Sequence, residues 1–252
     1  MHPVLIETGF ITLYSYGFFM TAAFLLGMAW TMREAGLRGL DRRYVLDIGF
    51  YVLLGGLLGS RLLFAAFNPD LFLNDPLGIF KLWQGGLIFM GGAIVAALFM
   101  IIFLRMKKQK ILPWLDAAAP GVALGLVAGW LGCLAAGCGY GRAADLPWSI
   151  TFTHPGSIAP LFMTLHPSQI YHILAALVCF VVLLQLKNKL TAGGQLAGVF
   201  LIMYSLLRML ADLFRGDVQP ELVFMGINQA LGLALVAVGL ILFHMPFGHE
   251  KK

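Results

Sequence analysis

Seven stretches of this chain, at about 13–32, 45–67, 87–104, 116–136, 168–186, 194–214 and 225–245, run apolar with hardly a charge and end at charged residues or Gly/Pro clusters. Each is close to the roughly 20 residues that an α-helix needs to cross the hydrocarbon core of a bilayer. That feature leaves few folds open. A backbone in lipid has no water to satisfy its N–H and C=O groups, so it must be helical or closed into a barrel. Runs this long and this continuous read as helices rather than alternating barrel strands. Composition removes the soluble alternative. Hydrophobic residues make up 60% of the chain and charged ones only 12%, against roughly 25% charged in an ordinary soluble domain. The expectation is an all-α polytopic membrane protein with about seven transmembrane helices. With no repeat, low-complexity tract or linker to divide it, residues 1–252 read as a single transmembrane domain.

Charge placement sets the orientation. Twelve of the 17 lysines and arginines fall in alternate connections: Arg33, Arg38, Arg42 and Arg43, then Arg105, Lys107, Lys108 and Lys110, then Lys187 and Lys189, and finally Lys251 and Lys252. Basic connections stay cytoplasmic, which predicts an N-out, C-in chain. The net charge of +5 is then accounted for by topology and by contact with anionic membrane lipids, and nucleic acid is not an expected partner. Met1 to Phe10 lacks a basic stretch and a small-residue cleavage site, so no removable signal peptide is expected. Cys133, Cys138 and Cys179 have no metal-ligand spacing, and neither a metal nor a cofactor is expected.

Gly55 and Gly59, and Gly121, Gly125 and Gly129, recur four apart, a spacing for close helix approach. The connection at about 137–167, predicted to lie on the outer face, is long and apolar, with Trp148, Phe152, Ile158, Leu161, Phe162 and Met163 among glycines and prolines. Irregular backbone at membrane depth is tolerated where it is buried in protein or lines a watery cavity, so this segment predicts a cavity beneath it. Ionisable residues inside apolar stretches mark functional positions. Arg208 and Asp212 stand four apart and share a helix face. Arg215 follows, completing an arginine cluster suited to a phosphate-sized anion. Arg61, near the outer end of the second stretch, reads either as a snorkelling arginine or as a headgroup ligand.

Four motifs carry a resemblance: Tyr14-Ser-Tyr16-Gly17; Trp83-Gln-Gly85-Gly86-Leu-Ile-Phe-Met90-Gly91-Gly92; His166-Pro167-Ser168-Gln169-Ile-Tyr171; and Tyr204, Arg208, Asp212, Phe214 and Arg215 in the sixth stretch. In order and spacing the chain resembles the prolipoprotein diacylglyceryl transferases over nearly its whole length. The resemblance implies a bacterial inner-membrane enzyme that moves the diacylglyceryl group of phosphatidylglycerol onto the lipobox cysteine thiol of a preprolipoprotein, releasing glycerol phosphate. It also implies that Arg208 and Arg215 hold or polarise the phosphate, with Tyr16 as a hydrogen-bonding neighbour and Gln169 near the headgroup.

The chain departs from the family pattern at chemically important positions. Met90 stands where the family has a histidine. Trp130, Cys133, Ala136 and Cys138 stand where it has an arginine, two asparagines and a glutamate, and Asp212 replaces the usual glutamate. His166 is the first candidate base, since it titrates near neutral pH outside the hydrocarbon core, or else it caps the loop and orients Tyr171. His154 and His172 stand behind it. Arg142 is positioned to replace the missing arginine. Cys138 is either an activated thiol or a small residue packed at a helix end. Two readings stay open: an active transferase with a rearranged site, with His166, Arg208 and Asp212 catalytic and Tyr16, Arg61, Arg142, Gln169 and Arg215 binding substrate, or a diverged member that binds or transports phospholipid without catalysis or uses another acceptor.

Overall fold

A computed structural model describes residues 2–8, 11–74, 78, 80–81, 86, 88–217 and 222–244. Among these, α1 (Ser15–Leu37), α2 (Arg43–Phe67), α4 (Phe89–Met106), α5 (Ile111–Ala136), α6 (Ser168–Leu186), α7 (Gln195–Asp212) and α8 (Leu222–His244) correspond to the seven apolar stretches. A short α3 (Pro69–Asn74) follows α2. Five helices, α1, α2, α5, α6 and α7, are long and apolar enough to cross a membrane, and α4 and α8 contribute the shorter apolar segments Met90–Met106 and Asn228–His244. This is an all-α polytopic membrane protein. Trp83, Gln84, Gly85, Leu87, Lys251 and Lys252, and the last residue of the seventh expected span, lie outside the described residues.

Two details differ from the sequence reading. Before α1 the chain forms an antiparallel hairpin of β1 (Val4–Thr8) and β2 (Ile11–Tyr14). The first helix therefore starts at Ser15, whose N–H donates to the Pro3 carbonyl at 2.9 Å, and it runs on to Leu37. The loop after α5 has its own small core. Within it, β3 (Ile150–Thr151) pairs with β4 (Thr164–Leu165), and Phe152, Ala159 and Leu165 are buried against Tyr140, Ile150 and Leu161.

The described chain falls into two compact units, Met1–Glu34 with Leu115–Lys252, and Ala35–Trp114. In the second unit α2 packs on α4, with Gly55 so close that a Cβ there would lie 3.0 Å from the Ala96 Cα. In the first unit α7 packs against α6 and α8, and α1 meets α5 where a Cβ on Gly125 would lie 3.0 Å from the Ala23 carbonyl oxygen. Small residues let backbones approach, which is how helices gain contact in lipid, where apolar burial offers little drive. Accordingly Ala23, Ala119, Ala123, Ala175 and Ala176 are buried, while Phe18, Leu25, Phe50 and Ile94 are exposed.

Two carboxylates tie the first unit together. Asp116 accepts from the Gly194 and Ala197 N–H groups at 2.7 and 2.8 Å, satisfying donors at the start of α7 that have no intrahelical partner. Glu34, buried near the end of α1, pairs with Lys187 at 2.6 Å. Lys187 therefore has a partner within the protein as well as its place among the basic connections.

Candidate functional site

The end of α7 gathers the charges. Asp212 Oδ1 lies 3.1 Å from Arg215 Nη1 and 3.3 Å from His172 Nε2, and its Oδ2 lies 3.6 Å from Arg208 Nε. Helical spacing delivers Arg208, one turn before Asp212. Arg215 also holds Asp217 in a two-pronged contact, Nε to Oδ1 at 2.9 Å and Nη2 to Oδ2 at 3.0 Å, the geometry to which a guanidinium is suited. Burial opposes the charge of Arg215, but the Asp217 and Asp212 carboxylates outweigh it and raise its pKa above the ordinary arginine value. The two arginines thus differ. Arg215 is tied down, with 17% of its side chain exposed, whereas Arg208, 33% exposed, makes one loose ion pair among the described residues.

Beside this cluster, the His172 ring stacks on Trp130 of α5, with centroids 3.9 Å apart and planes 2° from parallel. His172 is fully buried, and among the described residues neither ring nitrogen has an aligned hydrogen bond. One turn earlier on α6, Gln169 is also fully buried. Its Nε2 donates to the Cys138 carbonyl at 3.0 Å, and its Oε1 has no partner among the described residues. Ser168 donates to the Gly139 carbonyl. These bonds fix the chain leaving α5, which turns at Gly137 in the left-handed region (φ +87°), as helix C-termini favour. Cys133 and Cys138 are free thiols. A hydrogen bond with Cys133 holds the Cys138 thiol below its ordinary pKa, against burial that pushes it up.

The long loop is stitched to the end of α7. Arg142 N–H donates to the Phe214 carbonyl, Gly216 N–H to Tyr140 and His166 N–H to Arg142, each at 2.9 Å. These bonds hold Arg215 at a fixed place on the chain. The exposed Arg142 side chain donates to the Arg215 carbonyl at 3.3 Å. His166 Nδ1 lies 3.1 Å from the Tyr171 hydroxyl, which also accepts from Trp148 Nε1 at 3.1 Å. The ring of His166 packs on Phe214. His166 thus sits against Tyr171 and Phe214, and among the described residues no hydrogen bond or ion pair joins it to Asp212 or Arg208. His154 accepts from the Gly156 N–H within its own turn.

Comparison with known proteins settles the ancestry of this arrangement. Residues 3–245 match the family model described as "Prolipoprotein diacylglyceryl transferase". The chain belongs to the prolipoprotein diacylglyceryl transferase family. Relatives named phosphatidylglycerol–prolipoprotein diacylglyceryl transferase include one from Verminephrobacter eiseniae, 36% identical over 96% of this chain and 91% of its own length. One from Bordetella avium is 36% identical over 96% and 93%, and one from Clostridium tetani 27% identical over 97% and 98%.

As a diacylglyceryl transferase family member, the chain holds most of its motif residues within one unit: Gln169, Arg208, Asp212 and Arg215, with Arg142 and His166 on the loop that meets them. Tyr16, at the exposed start of α1, runs beside α5, where a Cβ on Gly132 would lie 3.6 Å from the Tyr16 carbonyl oxygen. Arg61 belongs to the other unit. Only 5% exposed, it donates to the carbonyls of Gly78 at 2.6 Å, Gly86 at 3.2 Å and Lys81 at 3.4 Å. Met90 occupies the first turn of α4. By sequence alone His172 ranks behind His166, and Trp130 marks only a departure from the family pattern. The signal that pairs them with the motif is the one-turn spacing of His172 after Gln169.

Proposed function

We propose that this chain transfers the diacylglyceryl group of phosphatidylglycerol to the lipobox cysteine of a preprolipoprotein, in the bacterial inner membrane and with its active site toward the outer face. Arg208 binds the lipid phosphate and stabilises the charge that grows on it as glycerol phosphate departs. Asp212, itself paired with Arg215, orients Arg208. Gln169 and Tyr16 serve the headgroup, and the loop at 137–167 covers the mouth where the acceptor peptide enters. Arg142, exposed on that loop, meets the incoming anionic headgroup or peptide.

The observation that carries this reading is the asymmetry at Asp212. One arginine is saturated by carboxylates, and the other, a third exposed, keeps donors for an incoming anion. Met90 at the family's histidine position favours the alternative, a protein that binds phospholipid without transferring it. Purified protein in vesicles with labelled phosphatidylglycerol and a lipobox peptide separates the two. Appearance of labelled thioether peptide and free glycerol phosphate is the expected result. Tight phosphatidylglycerol binding with no labelled peptide would replace the enzyme with the binding protein.

A further inference from the structure

The family's histidine position is filled by Met90, which accepts no proton, yet a thiol acceptor must lose one. Among the described histidines, His172 alone lies against a carboxylate, 3.3 Å from Asp212 Oδ1. Trp130 stacks on its ring and fixes the plane. The carboxylate beside Nε2 favours the tautomer that carries its proton there, which leaves the Nδ1 lone pair open. Nδ1 has no partner among the described residues, and neither has Gln169 Oε1 one turn away. Two buried polar atoms without partners, on one face of α6, are uncommon in a folded chain. They mark where a polar group of the substrate can be received.

We propose that His172, oriented by Asp212 and held by Trp130, is the base that takes the proton of the acceptor thiol. The proposal rests on the transferase reading. The thiol proton passes to Nδ1, and the resulting imidazolium is stabilised by Asp212. The sulfur lone pair forms the C–S bond to the terminal glyceryl carbon while the C–O bond to phosphate breaks, its electron pair leaving with glycerol phosphate. The imidazolium then returns its proton to that phosphate or to water, so neither oxidant nor metal is required. Arg208, one turn before Asp212 on α7, places the phosphate on the side of the cluster from which it departs.

The test is His172→Gln in the vesicle transfer assay, followed from pH 7 to pH 9.5 alongside phosphatidylglycerol binding. The charged and titratable groups facing the ring are Asp212 and Arg208 on α7 and Arg215 just beyond it. Tyr204 on α7 bonds to the Trp130 that stacks on the ring, and the Cys138 carbonyl accepts from Gln169 one turn away. A free thiol ionises by itself near pH 8.5, so a missing base matters less as pH rises, whereas a misfolded site does not recover. Turnover should fall about 10²–10⁴-fold at pH 7, lipid binding should persist, and the deficit should shrink at least about tenfold by pH 9.5. Unchanged turnover at pH 7 would overturn the proposal, as would a deficit constant with pH. So would the same pH-rescued loss in His166→Gln with none in His172→Gln. If wild type itself transfers nothing, the transferase reading falls, and the base assignment with it.

Discussion

Truncating the two arginines should separate scaffold from substrate binding. Arg215 makes three charge-assisted contacts, at 2.9, 3.0 and 3.1 Å, and is 17% exposed. Each such bond is worth about 1.5–3 kcal/mol, but bonds sharing one guanidinium are not additive. Removing one partner of a buried charge network costs roughly 3–5 kcal/mol. Partial exposure favours the lower figure, so Arg215→Ala should destabilise the protein by about 3 kcal/mol. Among the described residues Arg208 makes one ion pair, at 3.6 Å, and is 33% exposed, and water screens such a pair to at most about 1 kcal/mol. Its loss should instead weaken phosphatidylglycerol binding roughly ten- to a hundredfold, one charge-assisted bond converted at about 1.4 kcal/mol per decade. Unfolding titrations in SDS, followed by tryptophan fluorescence, give the stability arm. Titration with phosphatidylglycerol vesicles gives the binding arm. Equal destabilisation by the two variants, or wild-type lipid binding by Arg208→Ala, would refute the division of labour.

Three further outcomes are expected. Lys187→Met should cost about 3 kcal/mol by stranding the buried Glu34, since Arg33, 3.4 Å from Glu34 and 57% exposed, compensates little; Lys187→Met with Glu34→Gln should recover most of it, and an additive double variant would show no coupling. Cys138, whose pKa is lowered by the hydrogen bond with Cys133, should keep a larger thiolate fraction than an ordinary thiol as pH falls toward neutrality. Maleimide labelling at pH 7 should therefore slow in Cys133→Ala, where the pKa rises, and an unchanged rate would dismiss the bond. Reporter fusions after Lys110 and Lys189 should both read cytoplasmic, and a periplasmic signal at either would break the N-out, C-in arrangement.

Local chemistry dictated much of the architecture. A run of about 20 apolar residues has one low-energy state in lipid, so the seven helices could be read without knowing their neighbours, as could the pairing of Arg208 with Asp212, one turn apart. Helix ends and the β1–β2 hairpin were less legible. Val4–Tyr14 carries little charge and continues into the apolar stretch, so nothing local separates strand from helix before Ser15. The loop's own core around Phe152 was also hidden, because it depends on pairing Ile150 with Leu165 across the segment.

The site was legible as a set of residue types and not as a set of contacts. Sequence placed Arg208, Asp212 and Arg215 together because they share a helix and its end. Whether His166 or His172 meets Asp212 depends on the register of α6 against α7, fixed by side chains distant in sequence. Packing put Tyr171 against His166, Trp130 against His172 and Asp217 into the fork of Arg215. The same holds for Lys187, a topological charge by position, which becomes the partner of Glu34 only when α1 lies beside the end of α6. Sequence fixes periodicity and charge along one helix, but the distance between groups on different helices is set by how small residues let backbones approach, and that is decided only when the helices pack.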